Sequence, residues 1–67
     1  MAVTGRQLKV ERVAAGVAQG AVARAMGLSR QTVWAIENAP LARDDHAKAY
    51  RSALVRLRDI ATSPEAA

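Results

Sequence analysis

Residues 19–38, QGAVARAMGLSRQTVWAIEN, predict two short helices joined by a tight turn. The first helix is expected over residues 19–26 and the second over residues 30–38, because apolar positions recur at helical spacing in both. Gly27 supplies the positive φ that favours a helix C-cap. Ser29 is a suitable N-cap for the second helix. Two short helices with so brief a connection are expected to pack at a steep angle.

Helices are also predicted on both sides of this stretch. Thr4 and Gln7 have the spacing of a capping box, so a helix is expected over residues 5–15. Pro40 ends the helix that precedes it. The chain beyond has one apolar side at a period of 3.6 residues, which predicts an amphipathic helix over residues 45–61.

Composition agrees with a small helical domain. The chain has 67 residues, of which 51% are hydrophobic, and it lacks cysteine. Alanine accounts for 16 of the hydrophobic residues, so the core is expected to be thin. We therefore predict an all-α fold, a single compact four-helix domain at residues 1–61 with a frayed tail at residues 62–67. One histidine and no cysteine make a metal site or other cofactor unexpected.

The distribution of charge suggests a polyanionic partner. Residues 1–43 carry six basic and two acidic side chains, whereas residues 44–67 carry four of each, so the whole net charge of +4 lies in the first part. Apolar runs are too short for a membrane span of roughly 20 residues, and no signal peptide is evident. A cytoplasmic protein with no membrane partner is expected.

Residues 8–38 resemble the helix-turn-helix of the phage Cro and C-repressor family, whose fold is lambda-repressor-like. The matching positions are Arg12, Gln19, Ala23, Gly27, Val33, Ile36, Glu37 and Asn38. The resemblance implies that the third helix enters the major groove of double-stranded DNA. It also implies a bridge between Arg12 and Glu37 beneath the DNA surface, for which the alternative is a weak surface pair.

The third helix has an outward face suited to base recognition. At about 100° per residue, the face comprises Arg30, Gln31, Trp34, Ala35 and Asn38. Arginine can bind guanine, glutamine can bind adenine, and alanine can contact a thymine methyl group. Two interpretations of Trp34 stay open: it contacts thymine methyls or sugar edges, or it folds onto the Arg30 stem or the fourth helix as part of the core.

Phosphate contacts are expected around this helix, partly from the resemblance and partly from free donors near helix ends. The predicted phosphate contacts are Arg12, Gln19, Ser29, Asn38 and Arg43. The alternative role for Gln19 is helix capping. The sequence departs from the family at Glu11, where an apolar residue is common, and after Pro40, where one long helix replaces two shorter ones.

The predicted function is sequence-specific binding of double-stranded DNA by a transcriptional regulator, in the manner of a Cro-like phage or prophage repressor that occludes a promoter. The protein is not expected to be an enzyme, since no catalytic dyad, metal set or phosphate-binding glycine loop is present. A weak homodimer, fully formed only on DNA, is expected through Leu54, Leu57 and Ile60. The alternative is a helical interaction module, antitoxin-like or regulatory, that docks a partner through the fourth helix.

Overall fold

Four helices follow one another along the chain in the computed structural model, which describes residues 2–62. They are α1 (Gly5–Ala14), α2 (Gln19–Met26), α3 (Arg30–Asn38) and α4 (Asp44–Thr62). The prediction of an all-α, four-helix fold is confirmed. Because α4 extends to Thr62, the first residue of the predicted tail is helical. Residues 63–67 of that predicted tail lie outside the described residues.

The helix ends follow from local side-chain and backbone chemistry. The Thr4 hydroxyl accepts from the Gln7 amide at 3.1 Å, and the Gln7 side chain accepts from the Thr4 amide at 2.9 Å, which completes a capping box. The Ser29 hydroxyl accepts from the Thr32 amide at 3.1 Å and caps α3. Gly27 ends α2 with a φ of 70°, in the left-handed region.

Each helix contributes one large, fully buried side chain to the core. These side chains are Leu8 of α1, Val22 of α2, Val33 of α3 and Tyr50 of α4. The buried residues Ala23, Ile36, Ala47 and Leu54 complete the cluster. The core therefore lies where the four helices meet, and the long α4 closes it by packing against α2 and α1.

The apolar side of α4 belongs mainly to this core. Leu54 is buried, so its assignment to a spare dimer surface is wrong, whereas Leu57 is half-buried against the same cluster. A thin core of alanines needs both leucines to close it. Val55 and Ile60 remain exposed on this helix.

The start of the chain is joined to the segment that follows α3. The Ala42 amide donates to the Val3 carbonyl at 2.7 Å and forms an isolated antiparallel bridge. The Gly5 amide donates to the Ala39 carbonyl at 3.1 Å. These bonds hold the first turn of α1 against the last turn of α3.

That close approach requires glycine at position 5. A Cβ atom on Gly5 would lie 2.7 Å from the Glu37 carbonyl carbon and closer still to the Ile36 carbonyl oxygen. Both are backbone atoms and cannot rotate away, so α1 and α3 would have to separate.

We expect Gly5→Ala to lower the free energy of unfolding by about 2–3 kcal/mol, the upper part of the usual range for overpacking. Gly20→Ala is the matched control, because its Cβ would meet only the Arg30 side chain, at 3.6 Å. Urea unfolding should show the control to be neutral or slightly stabilising. Equal stability of the two variants would contradict the close approach of α1 and α3.

Candidate nucleic-acid interface

The side chains of α3 divide into a buried and an exposed face. Val33, Ile36 and Glu37 are buried against the other helices. The exposed face carries Arg30, Gln31, Trp34, Ala35 and Asn38. The structure thus brings all four side chains predicted to contact bases onto one continuous surface.

Trp34 lies on this surface and not in the core, since 59% of the residue is exposed. Its interpretation as a core residue packed against α4 is therefore wrong. It lines an open cleft of about 670 Å³ together with Gln19, Arg30, Gln31 and Ala35. The aromatic ring consequently stands among the side chains predicted to contact DNA.

Arg30 is positioned by the helix that precedes it. A Cβ atom on Gly20 would lie 3.6 Å from Arg30 Cδ and 3.9 Å from Arg30 Cγ. The aliphatic stem of Arg30 therefore crosses α2 near its start, where no side chain stands in its way. This contact places Arg30 beside Gln19 at the edge of the cleft.

A buried carboxylate joins the exposed face of α3 to the rest of the domain. Glu37 accepts from Arg12 Nε at 2.8 Å and from Gln19 Nε2 at 3.1 Å. The Tyr50 hydroxyl donates to the same carboxylate at 2.6 Å. We call these four residues the Glu37 cluster. Since its members come from α3, α1, α2 and α4, one carboxylate connects every helix.

The pair of Arg12 and Glu37 is not a surface contact, because the two side chains are only 13% and 1% exposed. A charge buried to this degree is tolerated only when it is paired and hydrogen-bonded. A further Arg12 donor has a backbone partner, since Nη1 donates to the Val17 carbonyl at 3.0 Å. The bridge thus fixes the turn between α1 and α2 along with α3.

The surroundings of Glu37 favour its charged form. Burial alone would raise the pKa of Glu37, but hydrogen bonds from Arg12 and Tyr50 and the positive charge of Arg12 outweigh burial and lower it. Burial and the adjacent Glu37 carboxylate raise the pKa of Tyr50, so its hydroxyl keeps its proton and remains a donor.

The side chains predicted to contact phosphates differ in their hydrogen-bond and ion-pair partners within the domain. Gln19 does not cap α2, which has no side-chain cap, and its amide is held by Glu37 instead. Asn38 Nδ2 donates to the Trp34 carbonyl at 2.8 Å within α3. Arg43 is exposed after α3 and pairs with Asp45 at 3.3 Å. The phosphate roles of Arg12, Gln19, Ser29, Asn38 and Arg43 stay predictions.

Several contacts of this region were not predicted from the sequence, and two of them involve α4. The first is the bond from Tyr50 to Glu37, for which the signal was a tyrosine on an apolar stripe, since a buried hydroxyl needs a partner. The second is the ion pair of Glu11 with Arg51, at 2.7 Å, which connects α1 to α4. This pair explains why the chain has a charged residue at position 11, where an apolar residue is common in the family. Forty residues separate these two partners.

Among residues 2–62, no three histidine, cysteine or acidic side chains are grouped so that they could hold a metal ion. None of the helices described above is both long and apolar enough to cross a membrane.

A family model described as a helix-turn-helix domain matches residues 4–60, which include α1, α2, α3 and most of α4. No curated protein and no solved structure shows a significant match to the chain.

We expect Glu37→Ala to lower the free energy of unfolding by about 3 kcal/mol, because it leaves Arg12 and Tyr50 without their buried acceptor. A double-mutant cycle with Arg12→Ala, measured by urea unfolding, should return a clear coupling energy. The matched control is the cycle of Glu11 and Arg51, an exposed pair of the same chemistry, whose coupling should be much smaller. Equal coupling energies in the two cycles would show that burial does not strengthen the pair of Arg12 and Glu37.

The lowered pKa of Glu37 predicts a pH dependence of stability. A carboxyl group with a lower pKa in the folded chain stabilises the fold above its unfolded pKa, and this contribution is lost as the pH falls through the folded pKa. The loss should therefore begin near the ordinary value of 4.5 and grow below it. Glu37→Gln should lose less stability over that acid range than the wild type. Identical acid dependence of the two proteins in urea unfolding would show that Glu37 does not contribute.

Proposed function

The chain belongs to the helix-turn-helix domain family, a DNA-binding motif, and from this premise we propose that it is a sequence-specific regulator of transcription that binds double-stranded DNA. The observation that carries the proposal is the exposed face of α3. Arginine, glutamine and an aromatic side chain lie together there, while the Glu37 cluster holds the opposite face of the same helix inside the domain.

In the proposed complex α3 enters the major groove and its exposed face contacts the bases. Arg30 donates two hydrogen bonds, to O6 and N7 of a guanine, and Gln31 forms two hydrogen bonds with N6 and N7 of an adenine. Trp34 and Ala35 add apolar contacts beside them. Phosphates on either side are contacted by Arg12, Gln19, Ser29, Asn38 and Arg43.

The charge distribution supports this orientation. The net charge of +4 resides in residues 1–43, the part of the chain that contains α1, α2 and α3. Basic side chains attract the phosphate backbone, and their effect decreases as salt is added. Binding to any duplex is therefore expected to be salt-dependent, with sequence preference added by the α3 side chains.

The biological setting we propose is a Cro-like phage or prophage repressor that acts in the cytoplasm by occluding a promoter. Its support is the resemblance of residues 8–38 to the Cro and C-repressor family. The alternative, an interaction module that docks a partner through α4, has less support because Leu54 and Leu57 pack within the domain. Val55 and Ile60 are the exposed apolar residues that remain for it.

Substitutions on α3 should separate base recognition from phosphate binding. Arg30→Ala or Gln31→Ala is expected to lose about 1–3 kcal/mol on the preferred site and little on random duplex DNA. Arg43→Ala should weaken binding to both and reduce the salt slope by about one. Arg56→Ala, the same change on an exposed position of α4, is the control and should have little effect.

Fluorescence anisotropy with a site selected from a random duplex pool measures these effects. If Arg30→Ala lost equal affinity for the selected and random duplexes, Arg30 would not contact bases. Absence of salt-dependent binding to any duplex would favour the interaction module over the DNA-binding regulator.

We further propose a weak two-fold dimer that forms on DNA. One α3 helix covers only a few base pairs, so selectivity increases when two chains bind half-sites about 34 Å apart. Ile60, 61% exposed on α4, is the remaining apolar candidate for the dimer contact. The small area involved fits a transient association.

Cooperative binding to a palindromic site tests this dimer. Ile60→Asp is expected to reduce cooperativity and to leave half-site affinity unchanged, whereas Val10→Asp, at a position with 59% exposure on α1, should preserve cooperativity. Band-shift titrations resolve the species with one and two chains bound. A wild-type chain that binds a single half-site as tightly as the palindrome would be a monomeric regulator.

A further inference from the structure

The outer side of α1 carries exposed apolar side chains. Val10 and Val13 are 59% and 60% exposed, and their spacing of three residues places them on one side of the helix. Ala14 is exposed beside them. Together with Ala39 and Pro40, which follow α3, they line an open cleft of about 820 Å³, which we call the α1 cleft. Contiguous exposed apolar groups with a polar border are typical of interaction sites.

The border of the α1 cleft is positively charged. Arg6 and Lys9 are exposed side chains of α1 that line it. Neither of them forms an ion pair with a residue that the structure describes. Glu37, the acidic residue in the lining, is 4% exposed and is bound within the Glu37 cluster. The cleft thus combines apolar groups with two basic side chains that can pair with the acidic groups of a partner.

The walls of the α1 cleft are held in place by backbone hydrogen bonds. The Gly5 amide donates to the Ala39 carbonyl, and the Ala42 amide donates to the Val3 carbonyl. Pro40 has no amide hydrogen to donate. Since this backbone is engaged, an added β-strand finds no edge there, and a partner has to bind through side chains, as a helix in a groove does. The fixed walls also reduce the ordering cost of binding.

Two other occupants fit this surface less well. A DNA backbone would pair with Arg6 and Lys9 but would place charged phosphates against the apolar part of the cleft. A second copy of the chain carries the same net charge of +4, and three of its acidic side chains already pair with its own arginines. A partner that has both apolar and acidic side chains matches both parts of the cleft.

We propose that the α1 cleft is the docking site for an acidic, amphipathic helix of a partner protein. Apolar side chains of that helix pack on Val10 and Val13, and its carboxylates pair with Arg6 and Lys9. The α1 cleft shares no lining residue with the cleft that contains Trp34. The chain can therefore hold this partner while α3 contacts DNA, and the docking site does not depend on the proposed DNA-binding function.

Selection of helical peptides from a random library displayed on phage, with the full chain as the target, tests the proposal. The recovered peptides should have apolar residues at every third or fourth position and acidic residues beside them. Binding of one labelled synthetic peptide is then measured by anisotropy. Val10→Ser should weaken it by about tenfold, the effect of leaving one valine unburied. The matched control is Val55→Ser, at a position of α4 with 46% exposure, which should have no effect.

Charge reversal tests the choice of an acidic partner. In the double variant Arg6→Glu with Lys9→Glu, a version of the peptide with lysine at its acidic positions should bind more tightly than the original, the reverse of the wild-type preference. The control, Lys48→Glu with Arg56→Glu, makes the same change of net charge at exposed positions of α4 and should keep the wild-type preference. Circular dichroism checks folding, which is expected to be retained because all four side chains are exposed.

Several results would overturn the proposal. One is a selection that yields no peptide, or only peptides without acidic residues. Another is peptide binding that Val10→Ser leaves unchanged. A salt slope for duplex binding that falls by about two in the variant of Arg6 and Lys9 would assign these side chains to DNA phosphates. Self-association of the free chain that Val10→Ser abolishes would assign the cleft to a second copy. A chain that binds the peptide but no duplex DNA would contradict only the proposed function.

Discussion

A buried carboxylate is the constraint on which the arrangement of the helices depends. Glu37 is 4% exposed and accepts hydrogen bonds from Arg12, Gln19 and Tyr50. A buried carboxylate is stable only when it is paired and hydrogen-bonded. The helices α1, α2 and α4 must therefore bring their three donors to α3 in one geometry. The same requirement sets the rotation of α3 about its axis. With Glu37 turned inward, the face that carries Trp34 is turned outward.

The packing around this cluster supports the same orientation. Gly5 allows α1 to approach the α3 backbone so closely that a side chain would not fit. Leu8 and Val33 fill the core between these helices, and Tyr50 contributes both ring packing and the bond to Glu37. A domain with so many alanines has few large apolar groups, so a polar contact and a glycine contact add positional definition that the core alone does not supply. The same contacts fix the position of the proposed DNA-binding surface.

Local rules explain why most of the fold could be predicted from the sequence. Capping residues such as Thr4 and Ser29 mark helix starts, and Gly27 marks an end, because these effects act within one turn. Contacts between distant residues carry no local signal: a period of 3.6 residues predicts a buried side on the fourth helix but does not identify Glu37 as the partner of Tyr50. Leu54 was assigned to a dimer because the number of side chains needed to close the core depends on packing. Trp34 was ambiguous because helical spacing alone does not show whether a neighbouring helix covers an aromatic ring.

We propose that the face of α3 opposite the Glu37 cluster is the DNA-binding surface. An NMR titration of the ¹⁵N-labelled chain with a short duplex at low salt tests it most directly, since phosphate-driven binding uses this surface even on random sequence. The largest amide shifts are expected at the start of α2, along the exposed face of α3 and in residues 38–43. Shifts confined to α4, or no shifts at all, would contradict it.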